Sequence, residues 1–142
     1  MAQIAVRRAH FAGRHALVVE NEAGTRNLCR QILEKSGFTV DAVNSGVEAL
    51  ALARQRRPDL IILALQLNDA HGRQVMDWMQ ANPALKSAPI IVMGAASEDF
   101  SSLQAHGAKA VLPKPVSQAA IEDAVKACFP DCRTAKPALV RT

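Results

Sequence analysis

The segment PDLIILALQLNDAHG, residues 58–72, decides the fold. Its residues 60–65 are six consecutive apolar side chains, which follow the helix-ending Pro58 and precede a polar loop that reaches Gly72. A continuous apolar run of this length is typical of a strand that is covered on both faces inside a parallel sheet. We therefore predict the central strand here, with its carboxyl end at Ala64 and Leu65.

Four further short strand candidates flank this strand, and helical patterns separate them. The other strands are predicted at residues 16–19, 38–43, 89–93 and 110–112. Four helices are predicted at residues 25–35, 45–56, 72–82 and 97–106. The fifth is predicted around Ile121 to Cys128 and ends before Pro130. Alternating strands and helices require right-handed crossovers and a parallel sheet, so the predicted class is a doubly wound α/β sandwich.

Length and composition indicate one globular domain. The chain has 142 residues, of which 49% are hydrophobic and 21% charged, and this balance allows a substantial core. We predict an arm at residues 1–13, a domain at 14–129 and a tail or linker at 130–142. Neither a membrane-spanning run nor a secretory signal is present, which favours the cytoplasm. The net charge of +4 lies largely in the two ends, so nucleic-acid binding is not expected.

The chain contains cysteines and histidines, which can bind metals or take part in redox chemistry, but neither set has the spacing of a metal-binding or redox-active motif. The cysteines are Cys29, Cys128 and Cys132. The histidines are His10, His15, His71 and His106. Without a CxxC pair or closely spaced histidines, we predict reduced thiols, surface histidines and no bound metal or other cofactor. Cys29 falls on the apolar side of the first helix and is expected to be an inert, packed thiol.

Charged residues are scarce where a ligand site is expected. In an open parallel sheet, ligands bind outside the carboxyl ends of the strands. The pattern places only Glu20, after the first strand, and Lys114, after the fifth, among the charges at these ends.

Four segments together resemble the receiver (CheY-like) domains of two-component signalling, over residues 14–129. They are VVENE at 18–22, PDLIILALQLNDAHG at 58–72, PIIVMGA at 89–95 and GAKAVLPKP at 107–115. Their order and spacing carry the resemblance, since each segment alone is weak. The resemblance implies a flavodoxin-like fold of five parallel strands in the order 2-1-3-4-5, with five helices.

The resemblance also implies that the phosphorylation site is degenerate. The aspartate that accepts the phosphoryl group in the family corresponds to Ala64, and a methyl group cannot be phosphorylated. The family's magnesium ligands correspond to Glu20, Asn21 and Ala64. Magnesium requires a shell of hard oxygen ligands, so we expect no tight metal site.

The elements that transmit phosphorylation in the family are altered as well. Gly94 stands where the family has a hydroxyl residue, and Val111 stands where it has a switching aromatic ring. Lys114 and Pro115 match the family, in which the bond between them is commonly cis. Because a partly buried ammonium group needs a partner, we predict a Lys114–Glu20 ion pair that closes the pocket.

These features favour a phosphorylation-independent module that binds proteins and is not an enzyme. The expected partners are a histidine kinase, a phosphotransfer protein, an output domain, or a second copy through the face of helix four, strand five and helix five. Candidate residues of that face are Ser101, Gln104, Lys109, Val111 and Gln118. The alternatives are a small-anion or nucleotide sensor that uses the vacated pocket, and a phosphoacceptor that uses a substitute acid such as Asp69.

Overall fold

The computed structural model describes residues 11–95 and 100–129, which form five parallel strands that alternate with five helices. The strands are β1 His15–Val19, β2 Thr39–Val43, β3 Leu60–Ala64, β4 Ile90–Gly94 and β5 Ala110–Pro113. The helices are α1 Ala23–Lys35, α2 Gly46–Gln55, α3 Gly72–Gln80, α4 Phe100–Ala105 and α5 Gln118–Cys128. The strand order is β2-β1-β3-β4-β5, which confirms the predicted class and order.

Strand β3 lies at the centre of the sheet, between β1 and β4, and all five of its residues are buried. Its side chains alternate between two cores. Ile61 and Leu63 pack on the side covered by α2 and α3, whereas Leu60, Ile62 and Ala64 pack on the side covered by α1 and α5. The apolar run is continuous because helices cover both faces of the sheet.

The predicted helix signals are present at the beginning of α2 and at the end of α1. The hydroxyl group of Ser45 accepts a hydrogen bond from the Glu48 backbone N–H at 3.2 Å, which caps α2. Gly37 follows α1 with a φ of 110°, a backbone conformation that glycine adopts readily. The predicted start of the fourth helix, at Ser97, lies outside the described residues. So do residues 1–10 of the predicted arm and the whole predicted tail, which contains Cys132.

The packed region extends into the predicted arm. Phe11 is buried, and its ring stacks on Phe38 with the centroids 4.8 Å apart. Phe129, at the end of α5, meets Phe11 edge-on at 5.6 Å, and the Arg14 guanidinium group lies 4.6 Å from the Phe129 ring centroid. Burial of this aromatic ring holds the chain against the domain from Phe11 onward.

No helix within residues 11–95 and 100–129 combines the length and the apolar character that a membrane crossing requires.

Candidate functional site

The residues of the predicted pocket meet at one edge of the sheet. Val19 is paired with Leu63, so the next residues along β1 and β3, Glu20 and Ala64, are neighbours. Ala64 is also paired with Met93 of β4. Further along this edge, Gly94 is paired with Pro113, and the Gly94 carbonyl accepts a hydrogen bond from the Lys114 backbone N–H at 2.8 Å.

The predicted ion pair between Glu20 and Lys114 is present. The Lys114 Nζ atom lies 2.5 Å from the Glu20 Oε1 atom. The Glu20 side chain is fully buried, whereas the Lys114 side chain keeps 29% of its surface exposed. Within the described residues, Oε1 accepts no hydrogen bond of good geometry, so the nearby ammonium group compensates its charge as an ion pair. The Lys114–Pro115 peptide bond is cis, as predicted.

The remaining polar groups of Glu20 are occupied by nearby parts of the chain. The Glu20 Oε2 atom accepts a hydrogen bond from the Glu22 backbone N–H at 3.1 Å. The Arg26 guanidinium group, from α1, donates to the Glu20 carbonyl oxygen at 2.8 Å. The first contact orients the Glu20 carboxylate, and the second holds the Glu20 backbone in the loop after β1.

Ala64 lies in an apolar environment. It is fully buried and belongs to the same core as Cys29 and Met93, whose sulfur atoms are 3.9 Å apart. Burial raises the pKa of the Cys29 thiol to about 12, and the negative charge of Glu20 adds to this while Lys114 opposes it. A thiol that stays protonated is a poor nucleophile, which agrees with the prediction of an inert, packed cysteine.

The residues present fit magnesium poorly. Of the three residues that correspond to the family's magnesium ligands, only Glu20 has a carboxylate. That carboxylate is already paired with the ammonium group of Lys114. The Asn21 side-chain amide donates to the Asn68 side-chain oxygen at 3.4 Å, and Ala64 offers no ligand. No cluster of three or more metal-ligating side chains occurs in the part of the chain that the structure describes. A cation here would have to displace Lys114 and would gain few hard oxygen ligands.

Asp69, the candidate substitute acid, caps a helix. Its side chain is exposed, as predicted, but its two oxygens accept hydrogen bonds from the Gly46 and Val47 backbone N–H groups at 2.9 and 3.0 Å. Both donors belong to the first turn of α2, where unpaired N–H groups attract anions. These hydrogen bonds, that of Gly46 first, lower the pKa of the Asp69 carboxyl. Sequence reasoning missed this role because the donors lie 23 and 22 residues away in the chain.

Replacing Asp69 with alanine is expected to lower the urea midpoint of unfolding at neutral pH, because α2 loses two hydrogen bonds at its beginning. The folded state depresses this pKa, so the contribution is complete above the ordinary pKa of an aspartate and is lost as the pH falls through the lowered value. The difference from the native chain should therefore shrink in acid. Asn68→Ala is the control, and equal midpoints for native chain and Asp69→Ala at neutral pH would contradict the capping role.

The described histidines differ in exposure. His71 and His106 lie at helix ends: His71 accepts a hydrogen bond from the Arg73 backbone N–H, and His106 lies 2.5 Å from an Asp77 oxygen. His15 was predicted to lie on the surface, and this was wrong, because its side chain is only 7% exposed. Two polar partners on the neighbouring strand β2 satisfy its ring nitrogens and so permit its burial. His10 lies outside the described residues.

The candidate partner face is largely accessible. Ser101 and Gln104 on α4, Lys109 before β5, and Gln118 at the start of α5 are exposed. Val111, on the edge strand β5, is half-buried. This face includes the edge strand β5, on the opposite side of the sheet from the other edge strand, β2. Lys114 follows β5 directly, so the ion pair lies beside the face but is not part of it.

Comparisons with known proteins agree with this fold. A model of the response regulator receiver domain matches residues 16–126. The polar-differentiation response regulators DivK of Brucella anthropi and Brucella ovis are each 31% identical over 117 residues, which span 81% of this chain and 95% of DivK. The chemotaxis response regulator CheY4 of Vibrio cholerae superposes with a TM-score of 0.75 at 22% identity, over 81% of this chain and 98% of that one. A CheY-like receiver domain from Methylobacillus flagellatus gives 0.73 at 25% identity, over 81% and 98%.

Proposed function

Since this chain belongs to the response regulator receiver domain family of two-component signalling, we propose that it acts there without being phosphorylated, as a module that binds a protein partner. One observation carries the proposal: the central strand ends in Ala64, a buried methyl group, where the family resemblance requires an aspartate. Acyl phosphate formation needs a carboxylate nucleophile, and alanine has none.

The surroundings of Ala64 support the same proposal. The positive charge of Lys114 is compensated by Glu20, so it is not free to stabilise a phosphoryl group. Gly94 has no hydroxyl group that could engage such a group. Asp69 has both oxygens committed to the first turn of α2, which makes it a poor substitute acceptor. Within the described residues, the strand ends around Ala64 therefore offer no acceptor carboxylate, no hydroxyl group at residue 94 and no uncompensated lysine.

The proposed partner is a protein such as a histidine kinase, a phosphotransfer protein or an output domain. The proposed surface is the face of α4, β5 and α5, with Ser101, Gln104, Lys109 and Gln118 as its exposed polar residues and Val111 as its apolar contact. A mixed surface of this kind is typical of a transient interface, where polar rim residues surround a small apolar centre. Because residue 64 has no carboxylate to phosphorylate, binding at this face would not depend on a phosphoryl donor.

The alternative of a small-anion or nucleotide sensor has weaker support. Loss of the aspartate and the hydroxyl group removes polar groups at Ala64 and Gly94, and Ala64 packs in one apolar core with Cys29 and Met93. An anion there would also have to compete with Glu20 for Lys114. A thermal-shift screen of inorganic phosphate and nucleotides tests this alternative, and we expect unchanged melting temperatures.

Incubation with acetyl phosphate and magnesium should add no phosphoryl group to the chain, because Ala64 offers no nucleophile. Intact-mass measurement checks this, with a receiver that retains its aspartate treated in parallel as the positive control. Beryllofluoride should likewise leave the backbone NMR spectrum unchanged. A stoichiometric phosphoryl adduct that disappears in the Asp69→Ala variant would overturn the proposal in favour of the substitute acid.

A further inference from the structure

A hydrogen-bonded cluster lies at the amino ends of β1, β2 and β3, at the opposite end of the strands from Glu20 and Lys114. Its centre is the buried imidazole of His15. The His15 Nε2 atom lies 2.9 Å from an Asp41 carboxylate oxygen, and the Nδ1 atom lies 2.8 Å from the Thr39 hydroxyl oxygen. Nothing in the proposed function uses these residues.

The Thr39 hydroxyl group has two further neighbours. The Arg56 guanidinium group, which follows α2, donates to it at 3.1 Å. The Arg14 carbonyl oxygen lies 3.4 Å away and can only accept a hydrogen bond. The hydroxyl group has one proton, so it donates either to His15 Nδ1 or to the Arg14 carbonyl, but not to both.

This single proton defines two complete hydrogen-bond patterns. Asp41 is an acceptor, so the His15 Nε2 atom carries a proton in both patterns. When the imidazole is neutral, Nδ1 is an acceptor and the Thr39 hydroxyl group donates to it. When the imidazole is protonated, Nδ1 donates to the Thr39 oxygen, and the hydroxyl group turns to the Arg14 carbonyl. In neither pattern does His15 lose a partner.

The charged groups that face this cluster are balanced. Asp41 on β2 and Asp59 before β3 are negative, and Asp59 accepts a hydrogen bond from the His15 backbone N–H at 2.8 Å. Arg56 and Arg14 are positive, and the Arg14 guanidinium group is directed to the Phe129 ring. The carboxylate in direct contact with the ring is that of Asp41, so a proton on His15 forms an ion pair at once.

We propose that His15 and Thr39 form a proton-operated switch that ties the turn before β1 to strand β2. Protonation of His15 turns the Thr39 hydroxyl group toward the Arg14 carbonyl, which adds a second hydrogen bond beside the one that the Thr39 backbone N–H already donates to that oxygen at 3.0 Å. Arg14 in turn donates its backbone N–H to the Phe11 carbonyl at 3.0 Å. At acidic pH, the segment from Phe11 to Arg14 is therefore held to strand β2 by one additional hydrogen bond.

Imidazole nitrogen NMR of the native chain, followed from neutral pH into acid, tests the switch directly. We expect Nε2 to carry a proton throughout and Nδ1 to gain one, with the amide signals of β1 and β2 still present. The Arg14 carbonyl carbon should shift with the same midpoint. A midpoint for Arg14 unrelated to that of Nδ1, or an Nδ1 that gains no proton until the chain unfolds, would overturn the proposal.

Two matched variants separate the hydroxyl group from the shape of residue 39. Thr39→Ser keeps the hydroxyl group and should behave like the native chain. Thr39→Val keeps the branched shape but leaves the protonated Nδ1 without an acceptor, so its melting temperature should fall further below that of Thr39→Ser in acid than at neutral pH. Equal melting of the two variants at both pH values would refute the switch. Should Thr39→Val not fold, the native NMR titration decides alone.

Discussion

Replacing Lys114 with methionine is expected to destabilise the domain by about 3 kcal/mol, because the buried Glu20 carboxylate then loses the group that compensates its charge. Removing one partner of a buried ion pair costs more than the pair contributes, since the remaining charge is neither paired nor solvated. The Lys114 side chain is 29% exposed, so we place the expected loss at the lower end of the costs that follow when one partner of a buried ion pair is removed. Urea unfolding at neutral pH measures the change.

The double variant with Glu20→Gln and Lys114→Met is the matched control. A neutral amide keeps an oxygen for the Glu22 backbone N–H, so the double variant should regain most of the stability that Lys114→Met loses. Glu20→Gln alone should cost less than Lys114→Met, because water can reach the freed ammonium group. Similar stability of Lys114→Met and the native chain would show that Glu20 does not depend on this pair.

The ion pair was predictable because the sequence places very few charges at the carboxyl ends of the strands. Apolar runs locate the strand ends, and a parallel sheet brings those ends to one edge. Glu20 and Lys114 are the charges at that edge, and two opposite charges there are driven together by the cost of burying either one alone. Ala64 was located differently, by the family resemblance, which aligns the end of this central strand with the acceptor position.

Polar contacts between distant segments could not be predicted in this way. His15 begins a strand, where exposure is the ordinary expectation, yet its partners Thr39 and Asp41 come from β2 and depend on the exact register of β1 and β2. The capping role of Asp69 depends on the path of the loop that brings its side chain to the beginning of α2. Phe11 belongs to no periodic pattern, and its burial follows from Phe38 and Phe129, which lie far along the chain. Periodicity reports which face is apolar, not which side chains meet.

Restoring the family's acid by replacing Ala64 with aspartate should destabilise the domain by about 3 kcal/mol at neutral pH. The new carboxylate would enter an apolar core with no exposed surface, next to the carboxylate of Glu20. Lys114 is already paired with Glu20 and would have to serve two negative charges. Urea unfolding measures the cost, and intact-mass measurement after acetyl phosphate treatment should show far less than one phosphoryl group per chain, because Lys114 is already paired with Glu20 and the residues present hold magnesium poorly.

Ala64→Asn separates the charge from the added volume, since asparagine has nearly the same shape as aspartate and stays neutral. Burial and the neighbouring Glu20 raise the pKa of a carboxyl at residue 64 above its value in the unfolded chain. The folded state then binds the proton more tightly, so the stability of Ala64→Asp should fall as the pH rises through the interval between the two pKa values. The two variants should therefore be equally stable in acid and diverge toward neutral pH. Equal stability of both at neutral pH would mean that this edge of the sheet still accommodates a second carboxylate, and the acceptor would then be the main element that the domain has lost.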